Sequence, residues 1–145
     1  MSGRHSVRLS RTSTGNYRAT NAAGVSIGLG QGDDVFSPVE LLLAAIGGCS
    51  AIDVDVVTAR RTEPTSFEVE VSAQKMTDET GGARLRDVVA DFHLVFGDDD
   101  RAREAAGLVE RLVRLSHERD CTVSRTVEFP TPVRMDVDGR TVAGG

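Results

Sequence analysis

The chain has 145 residues, 39% of them apolar, and a formal net charge of −5, which suits one folded domain with its own core. Lysine and arginine are dispersed, which argues against nucleic acid as a partner. The first residues lack the apolar stretch of a signal peptide, and no apolar run approaches membrane-spanning length. We therefore predict a cytoplasmic protein, with no membrane partner and with reduced cysteines.

Three short strands are predicted to open the chain, at 5–11, 16–20 and 24–29, with turn-like "STG" and "NAAG" between them. A loop over 30–36 follows.

A first helix is predicted from Ser37 to about Arg61. Ser37 and Glu40 have the spacing of a capping box, and Pro38 suits the first helical position. Every residue over 41–46 is apolar, so this part of the helix should be covered on most sides.

The second half of the chain is predicted as a hairpin, a helix and two strands. Segments 66–75 and 85–96 alternate apolar and polar residues, as half-buried antiparallel strands do. Apolar residues at helical spacing predict a helix over 97–121, which ends near Cys121. Segments 124–129 and 132–137 look strand-like, and the last residues look irregular. The order β-β-β-α-β-β-α-β-β predicts a single α+β domain over 1–145 with antiparallel sheet.

Two glycines stand before Cys49 in the middle of the first helix. Each costs a helix about 1 kcal/mol relative to alanine, so Gly47 and Gly48 serve either close packing or open access to the sulfur. Burial raises the pKa of a mid-helix thiol, and a reactive Cys49 would need a cation or donor beside it. Arginine suits this role because it stays charged when desolvated. The sequence does not choose among Arg11, Arg18, Arg60, Arg61 and Arg125.

Other polar residues have a structural and a functional interpretation. Glu40 is the capping-box acid, and it could also anchor an arginine that points at the thiol. His117 and Cys121 lie four residues apart and, with Cys49, make three potential metal ligands. Because no fourth ligand is evident, we expect neither a metal nor another cofactor.

The segments "SPVELLLAAIGGCSAIDV" and "LSHERDCTVSRTVEF" resemble the OsmC/Ohr family over nearly the whole chain. The resemblance implies an OsmC-like fold, an intertwined homodimer in which antiparallel sheets wrap around central Cys-bearing helices. It also implies a thiol peroxidase of organic hydroperoxides, with Cys49 as the peroxidatic and Cys121 as the resolving cysteine. Their disulfide would be reduced by a small or lipoyl-type dithiol.

The chain departs from the family's peroxidases at two positions. Their glutamate directly follows the motif proline, whereas this chain has Val39 there and the acid one residue later, at Glu40. Their arginine in the first glycine-rich turn is replaced by Gly15, so Arg11 or Arg18 would have to serve. The candidate catalytic residues are then Cys49, Cys121, Glu40 and Arg18. The alternative function is a non-catalytic dimer that binds an apolar ligand or senses redox state.

Overall fold

The computed structural model describes residues 3–144, and over these it is an α+β protein with antiparallel sheets. The elements are β1 (Val7–Ser13), β2 (Asn16–Asn21), β3 (Ser26–Gly30), α1 (Pro38–Thr58), β4 (Ser66–Thr77), β5 (Ala83–Val95), α2 (Asp100–Leu115), a π-helical turn (Ser116–Asp120), α3 (Thr122–Glu128), β6 (Met135–Val137) and β7 (Arg140–Ala143). The chain divides into two compact units, one ending at Ala44 and one beginning at Ala45.

The first unit contains a three-stranded meander in the order β1-β2-β3. Gly15 makes the tight turn between β1 and β2 at φ +75°, a conformation that glycine adopts without steric cost. Gly30, at the end of β3, lies so close to Gly15 that an added Cβ would strike its carbonyl oxygen. Glycine at both positions therefore lets the strands converge at this end of the sheet.

The capping box at the start of α1 is confirmed. Ser37 N–H donates to Glu40 Oε1 at 2.8 Å, and Glu40 N–H donates to Ser37 Oγ at 3.1 Å. These reciprocal bonds satisfy two of the backbone donors that a helix start leaves free. They explain why the helix begins at Pro38.

The second unit is built on the β4–β5 hairpin, which has Ser66 opposite Val95 at its open end. The predicted alternation is confirmed, since the apolar positions that it placed inward are half-buried, namely Phe67, Val69, Val71 and Ala73 on β4 and Ala90, Phe92 and Leu94 on β5. The second half of α1 buries Val54 and Thr58 fully, and α2 buries Ala102 and Ala105. The core of this unit therefore includes both helices.

Gly47 packs directly against the hairpin. A Cβ at Gly47 would lie 2.5 Å from Val71 Cγ2 and 3.6 Å from Val69 Cγ1, whereas a Cβ at Gly48 would meet nothing within 4 Å. The close-packing interpretation is thus confirmed for Gly47. Gly48 faces open space on the other side of α1.

The structure corrects the prediction of a strand over 124–129, because this segment lies in helix α3. Cys121 caps the helix, with its sulfur accepting a hydrogen bond from Ser124 N–H at 3.3 Å. The β-branched residues of "TVSRTV" favour a strand only weakly, and such preferences yield to local context. Val123 and Val127, four residues apart, lie one turn apart on the helix.

The two strands of the C-terminal hairpin also differ from the prediction. The strand expected over 132–137 is shortened to β6, and the tail expected to be irregular forms β7. Asp138 and Gly139 both have positive φ, at 49° and 79°, as the two-residue turn of a tight hairpin requires. The Asp-Gly pair therefore closes a hairpin that the sequence analysis overlooked.

The length of α1 corrects the expectation that no apolar run approaches membrane-spanning length. By length and composition alone, its 21 residues suffice to cross a membrane. The core helix of a soluble protein meets the same two criteria, and α1 contributes Ile46, Val54 and Thr58 to the buried interior. Its apolar character is thus partly explained by the packing of its own chain.

Candidate functional site

The structure brings Cys49 and Cys121 together, although they lie far apart in the sequence. Cys49 stands in the middle of α1, and Cys121 stands in extended backbone between the π-helical turn and α3. Both are free cysteines, Cys49 half-buried and Cys121 fully buried, and their side chains lie close enough that each shifts the pKa of the other. Two thiols in this contact can form a disulfide when one of them is oxidised.

Cys121 lies in an environment that stabilises a thiolate. Burial by itself would raise the pKa of Cys121. Hydrogen bonds from the Ser124 hydroxyl and backbone N–H, the Ser50 hydroxyl and the Cys49 thiol outweigh that effect, so the pKa of Cys121 lies below its usual value. This sulfur can therefore carry negative charge while it is shielded from water.

Cys49 lies in an environment that favours the neutral thiol. Burial raises the pKa of Cys49, the backbone N–H of Val123 lowers it, and Cys121 and Asp53 raise it further. Asp53 follows Cys49 by one helical turn, so its carboxylate opposes a second negative charge nearby. The two thiols therefore lie in unequal surroundings, which lower the pKa of Cys121 and raise that of Cys49.

The π-helical turn after α2 positions Cys121. Cys121 N–H donates to Ser116 O at 2.8 Å, which closes the wide turn before the chain becomes extended. Buried Ser116 donates from its hydroxyl to Asp53 Oδ2 at 2.7 Å, which ties the turn to α1. Ser124 N–H then donates to Cys121 Sγ at 3.3 Å, and the backbone of Val123 lies close enough to Cys49 to lower the pKa of that thiol.

A cavity of about 280 Å³ adjoins this pair. It is lined by Ile46, Ser50, Val88, Ala90, Phe92, Val113, His117, Ser124, Val127 and Glu128. Most of these side chains are apolar, and His117 Nε2 lies 3.9 Å from Glu128 Oε2. Ser50 and Ser124 belong both to this lining and to the donors that hold Cys121. The cavity can accept an apolar group, with hydroxyl groups beside the buried sulfur.

Glu40 and Arg18 have ordinary structural surroundings. The Glu40 carboxylate accepts from Ser37 N–H, and the backbone N–H of Ser37, followed by its hydroxyl, lowers the pKa of Glu40. Arg18 is an exposed residue of β2, opposite Ser10 and Gly28 in the sheet. A catalytic role for either residue stays a prediction.

Two of the arginines considered as partners of Cys49 bind other groups in the second unit. Arg61 Nε lies 3.3 Å from Glu104 Oε1. The Arg125 guanidinium donates to Glu118 O and lies over the Phe129 ring, 4.8 Å from its centre. Within residues 3–144 no three His, Cys, Asp or Glu side chains are grouped as metal ligands.

The residues that tune the thiols were missed by the sequence analysis, although signals for them exist. Ser50 directly follows Cys49, and Asp53 follows it by four residues, the spacing of one helix face. Ser124 follows Cys121 by three residues, the spacing between an N-cap side chain and the amide it accepts from. Because a strand was predicted over 124–129, the N-cap relation between Cys121 and Ser124 was not recognised.

Fold and site together define an α+β dithiol protein with antiparallel sheets. The chain belongs to the OsmC family, since residues 30–136 match the model of the OsmC-like proteins. An uncharacterized protein of Mycobacterium tuberculosis is 31% identical over 130 residues, which cover 88% of this chain and 91% of that protein. Protein YhfA of Escherichia coli is 35% identical over 98 residues, which cover 67% and 68% of the two chains.

Solved structures confirm the OsmC-like fold. An OsmC-like protein of unknown function from Vibrio cholerae has a TM-score of 0.72 at 15% identity, with 88% of this chain and 95% of that chain covered. The organic hydroperoxide resistance protein OhrB of Bacillus subtilis has a TM-score of 0.54 at 22% identity, with coverage of 86% and 90%. At these identities the likeness establishes the fold.

Proposed function

We propose that this chain is a thiol-dependent peroxidase that reduces organic hydroperoxides to alcohols and forms a Cys49–Cys121 disulfide. The observation that carries the proposal is the contact between two free thiols, one of which has donors for a thiolate. A protein of the same fold in Bacillus subtilis is named for organic hydroperoxide resistance. A cytoplasmic location, where thiols stay reduced, suits this chemistry.

The reaction uses each thiol once. A thiolate attacks the terminal peroxide oxygen, the O–O bond breaks, and the sulfur becomes a sulfenic acid while the organic fragment leaves as an alcohol. The second thiol then displaces water from the sulfenic acid and closes the disulfide. An external dithiol, of the small or lipoyl type that the family resemblance implies, returns both sulfurs to the reduced state. The resemblance gives the first attack to Cys49.

The cavity supports an organic substrate over hydrogen peroxide. Its lining includes Ile46, Val88 and Phe92, and transfer of an apolar group from water to such a surface is favourable by about 25 cal/mol per Å². Hydrogen peroxide has no apolar group and gains nothing there. We therefore expect organic hydroperoxides to react faster.

The test adds one equivalent of cumene hydroperoxide to the reduced protein and follows thiol loss by mass spectrometry. We expect the loss of two hydrogens and a cross-link between Cys49 and Cys121, and reduction by dihydrolipoamide should permit further turnover. Hydrogen peroxide serves as the comparison substrate, and a variant with both cysteines replaced by serine serves as the blank. Thiols that stay free in the wild-type protein would contradict the proposal.

A second candidate function is a non-catalytic dimer that binds an apolar ligand or senses redox state. The apolar cavity and the raised pKa of Cys49 favour it, because a neutral thiol is a poor nucleophile. In that case cumene would bind with no change in mass, or oxidation would proceed with no turnover by a dithiol. The same mass-spectrometric series distinguishes the two functions.

We also propose that the protein is a homodimer, as the family resemblance implies. The outer face of α1 presents Ala45, Gly48, Ile52 and Val56 at helical spacing, all exposed, with Ile52 64% and Val56 52% accessible. A contiguous apolar face of this kind is typical of an interface, and Gly48 leaves room for a second helix to come close. A second copy of α1 would cover this face.

Replacing Ile52 with glutamate should split the dimer. The new charge would be buried without a partner at the interface, which costs several kcal/mol, while within one chain Ile52 is mostly exposed. Light scattering at micromolar concentration measures the mass. Ala106→Glu, which adds the same charge at an exposed position of α2, is the control and should leave the mass unchanged. A wild-type protein that is a folded monomer would contradict the dimer.

A further inference from the structure

We infer that Asp53 is a positioning residue for disulfide closure, because it fastens the segment that carries Cys121 to the helix that carries Cys49. This inference rests on the proposed peroxidase function and deepens its second step. The first attack stays with Cys49, as the family resemblance implies. The inference follows from the hydrogen bond between Asp53 and Ser116 and from the place of that bond in the fold.

Ser116 uses each of its polar groups to hold the segment before Cys121. Its N–H donates to Leu112 O and Val113 O at the end of α2. Its carbonyl accepts from Cys121 N–H at 2.8 Å, which closes the π-helical turn. Its hydroxyl donates to Asp53 Oδ2 at 2.7 Å. Because Ser116 is only 1% exposed, its hydroxyl would be buried without a partner if Asp53 were removed.

The remainder of the π-helical turn is attached to α3 and to solvent. Residues 117–120 are exposed, and the Arg125 guanidinium of α3 donates to Glu118 O. In the part of the chain that the structure describes, the bond from Ser116 to Asp53 is the one side-chain hydrogen bond between this turn and α1. A serine hydroxyl bonds more strongly to a carboxylate than to a neutral acceptor. The carboxylate is therefore the polar link between the two segments that carry the thiols.

Asp53 and Cys49 lie on the same face of α1. They are four residues apart, about one helical turn, and α1 is continuous over Pro38–Thr58. Cys121 directly follows the turn that Asp53 holds, and it caps α3. A single turn of α1 thus presents one sulfur and, through Ser116, fixes the backbone that presents the other.

Disulfide closure depends on this placement. Once Cys49 is a sulfenic acid, the sulfur of Cys121 attacks it. The S–S bond forms, the S–O bond breaks, and the proton of Cys121 leaves with the hydroxyl group as water. Cys121 is fully buried, so its sulfur reaches Cys49 only while its segment is packed against α1. A misplacement of about 1 Å between reacting groups can slow a reaction about a hundredfold.

The test measures how the sulfenic acid divides between two products. Reduced proteins receive one equivalent of cumene hydroperoxide in the presence of dimedone, which traps sulfenic acid, and mass spectrometry gives the ratio of dimedone adduct to disulfide. Because both products form from the same sulfenic acid, this ratio reports closure and is independent of the rate of the first attack. We expect Asp53→Ala to raise the ratio about tenfold or more. Asp53→Asn, whose amide oxygen can accept from Ser116, should restore most of the disulfide.

Three further variants calibrate the ratio. Asp55→Ala makes the same substitution at an exposed position of α1, two residues along the chain, and should leave the ratio unchanged. Cys121→Ser, in which closure is impossible, gives the dimedone adduct alone. Ser116→Ala removes the same hydrogen bond from its other end and should raise the ratio as Asp53→Ala does. The double variant should raise it no further, because both changes break one interaction.

The outcomes separate positioning from stability and from the proposed function. Ser116→Ala makes the comparison if Asp53→Ala does not fold, since it leaves no unpaired hydroxyl. A lower Tm with a wild-type ratio would show that the bond is merely structural and would overturn the inference, while the peroxidase function would stand. A wild-type protein that forms no disulfide would overturn both.

Discussion

Replacing Gly47 with valine should lower the free energy of unfolding by about 2–3 kcal/mol. An added Cβ would lie 2.5 Å from Val71 Cγ2, well inside van der Waals contact, and the further methyl groups of valine enlarge the overlap. Overpacking of a filled core typically costs 1–3 kcal/mol, while the helix regains less than about 1 kcal/mol when glycine is removed. Urea denaturation followed by circular dichroism measures the loss.

Gly48→Val is the matched control, because it makes the same substitution at the next residue. A Cβ at Gly48 meets nothing within 4 Å of its own chain, so any loss must come from contacts between chains. That loss should shrink as protein concentration rises, whereas the loss at Gly47 should not. Equal losses of unfolding free energy that do not change with protein concentration would contradict the different roles assigned to the two glycines.

The pH dependence of the first oxidation step should differ between the two single-cysteine proteins, Cys49→Ser and Cys121→Ser, with the midpoint for Cys49→Ser at the lower pH. Only a thiolate attacks peroxide, so the rate rises with pH through the pKa of the attacking thiol and then levels off. The pKa of Cys121 is lowered by its hydrogen bonds and that of Cys49 is raised by burial. Below both values, each unit of difference changes the thiolate fraction tenfold.

Stopped-flow measurement with cumene hydroperoxide gives the two profiles. The rate for Cys49→Ser should level off at a pH below the usual thiol range, and the rate for Cys121→Ser should still be rising there. Other charged groups that border the thiols and the cavity are Asp53 from α1, His117 from the π-helical turn and Glu128 from α3. Thiolate absorbance recorded on the same samples shows whether the rise in rate follows ionisation of the thiol. A rate that rises with pH while the thiolate absorbance stays constant would contradict the assignment.

The long periodic elements of the fold were predictable from the sequence, and the short ones were not. Alternation over β4 and β5 and the capping box of α1 are local signals that agree with the final packing. Helix α3 has seven residues, too few for periodicity to outweigh the strand preference of its threonines and valines. The turn at Asp138 and Gly139 was present in the sequence as a standard hairpin signal and was overlooked.

Proximity of the two cysteines was expected from the family resemblance, whereas the opposite directions of their pKa shifts were not. That asymmetry depends on which donors meet which sulfur, and Ser50 and Ser124 reach Cys121 from different helices. No local sequence pattern predicts that these side chains lie together, because their proximity depends on the tertiary contact between α1 and the segment after α2. The interpretation of Glu40 as a capping residue needed only the four residues Ser37–Glu40, and the observed hydrogen bonds agree with it.

Cys121 is the N-cap of α3, so under the proposed disulfide chemistry the folding of α3 and the reaction of the pair would share one atom. While Cys121 is a thiolate, Ser124 N–H has a charged acceptor and the start of α3 is secured. In a disulfide the same sulfur is neutral and a poorer acceptor. Oxidation would then weaken the first turn of this seven-residue helix. The dithiol reductant would therefore bind a more flexible surface than the hydroperoxide did.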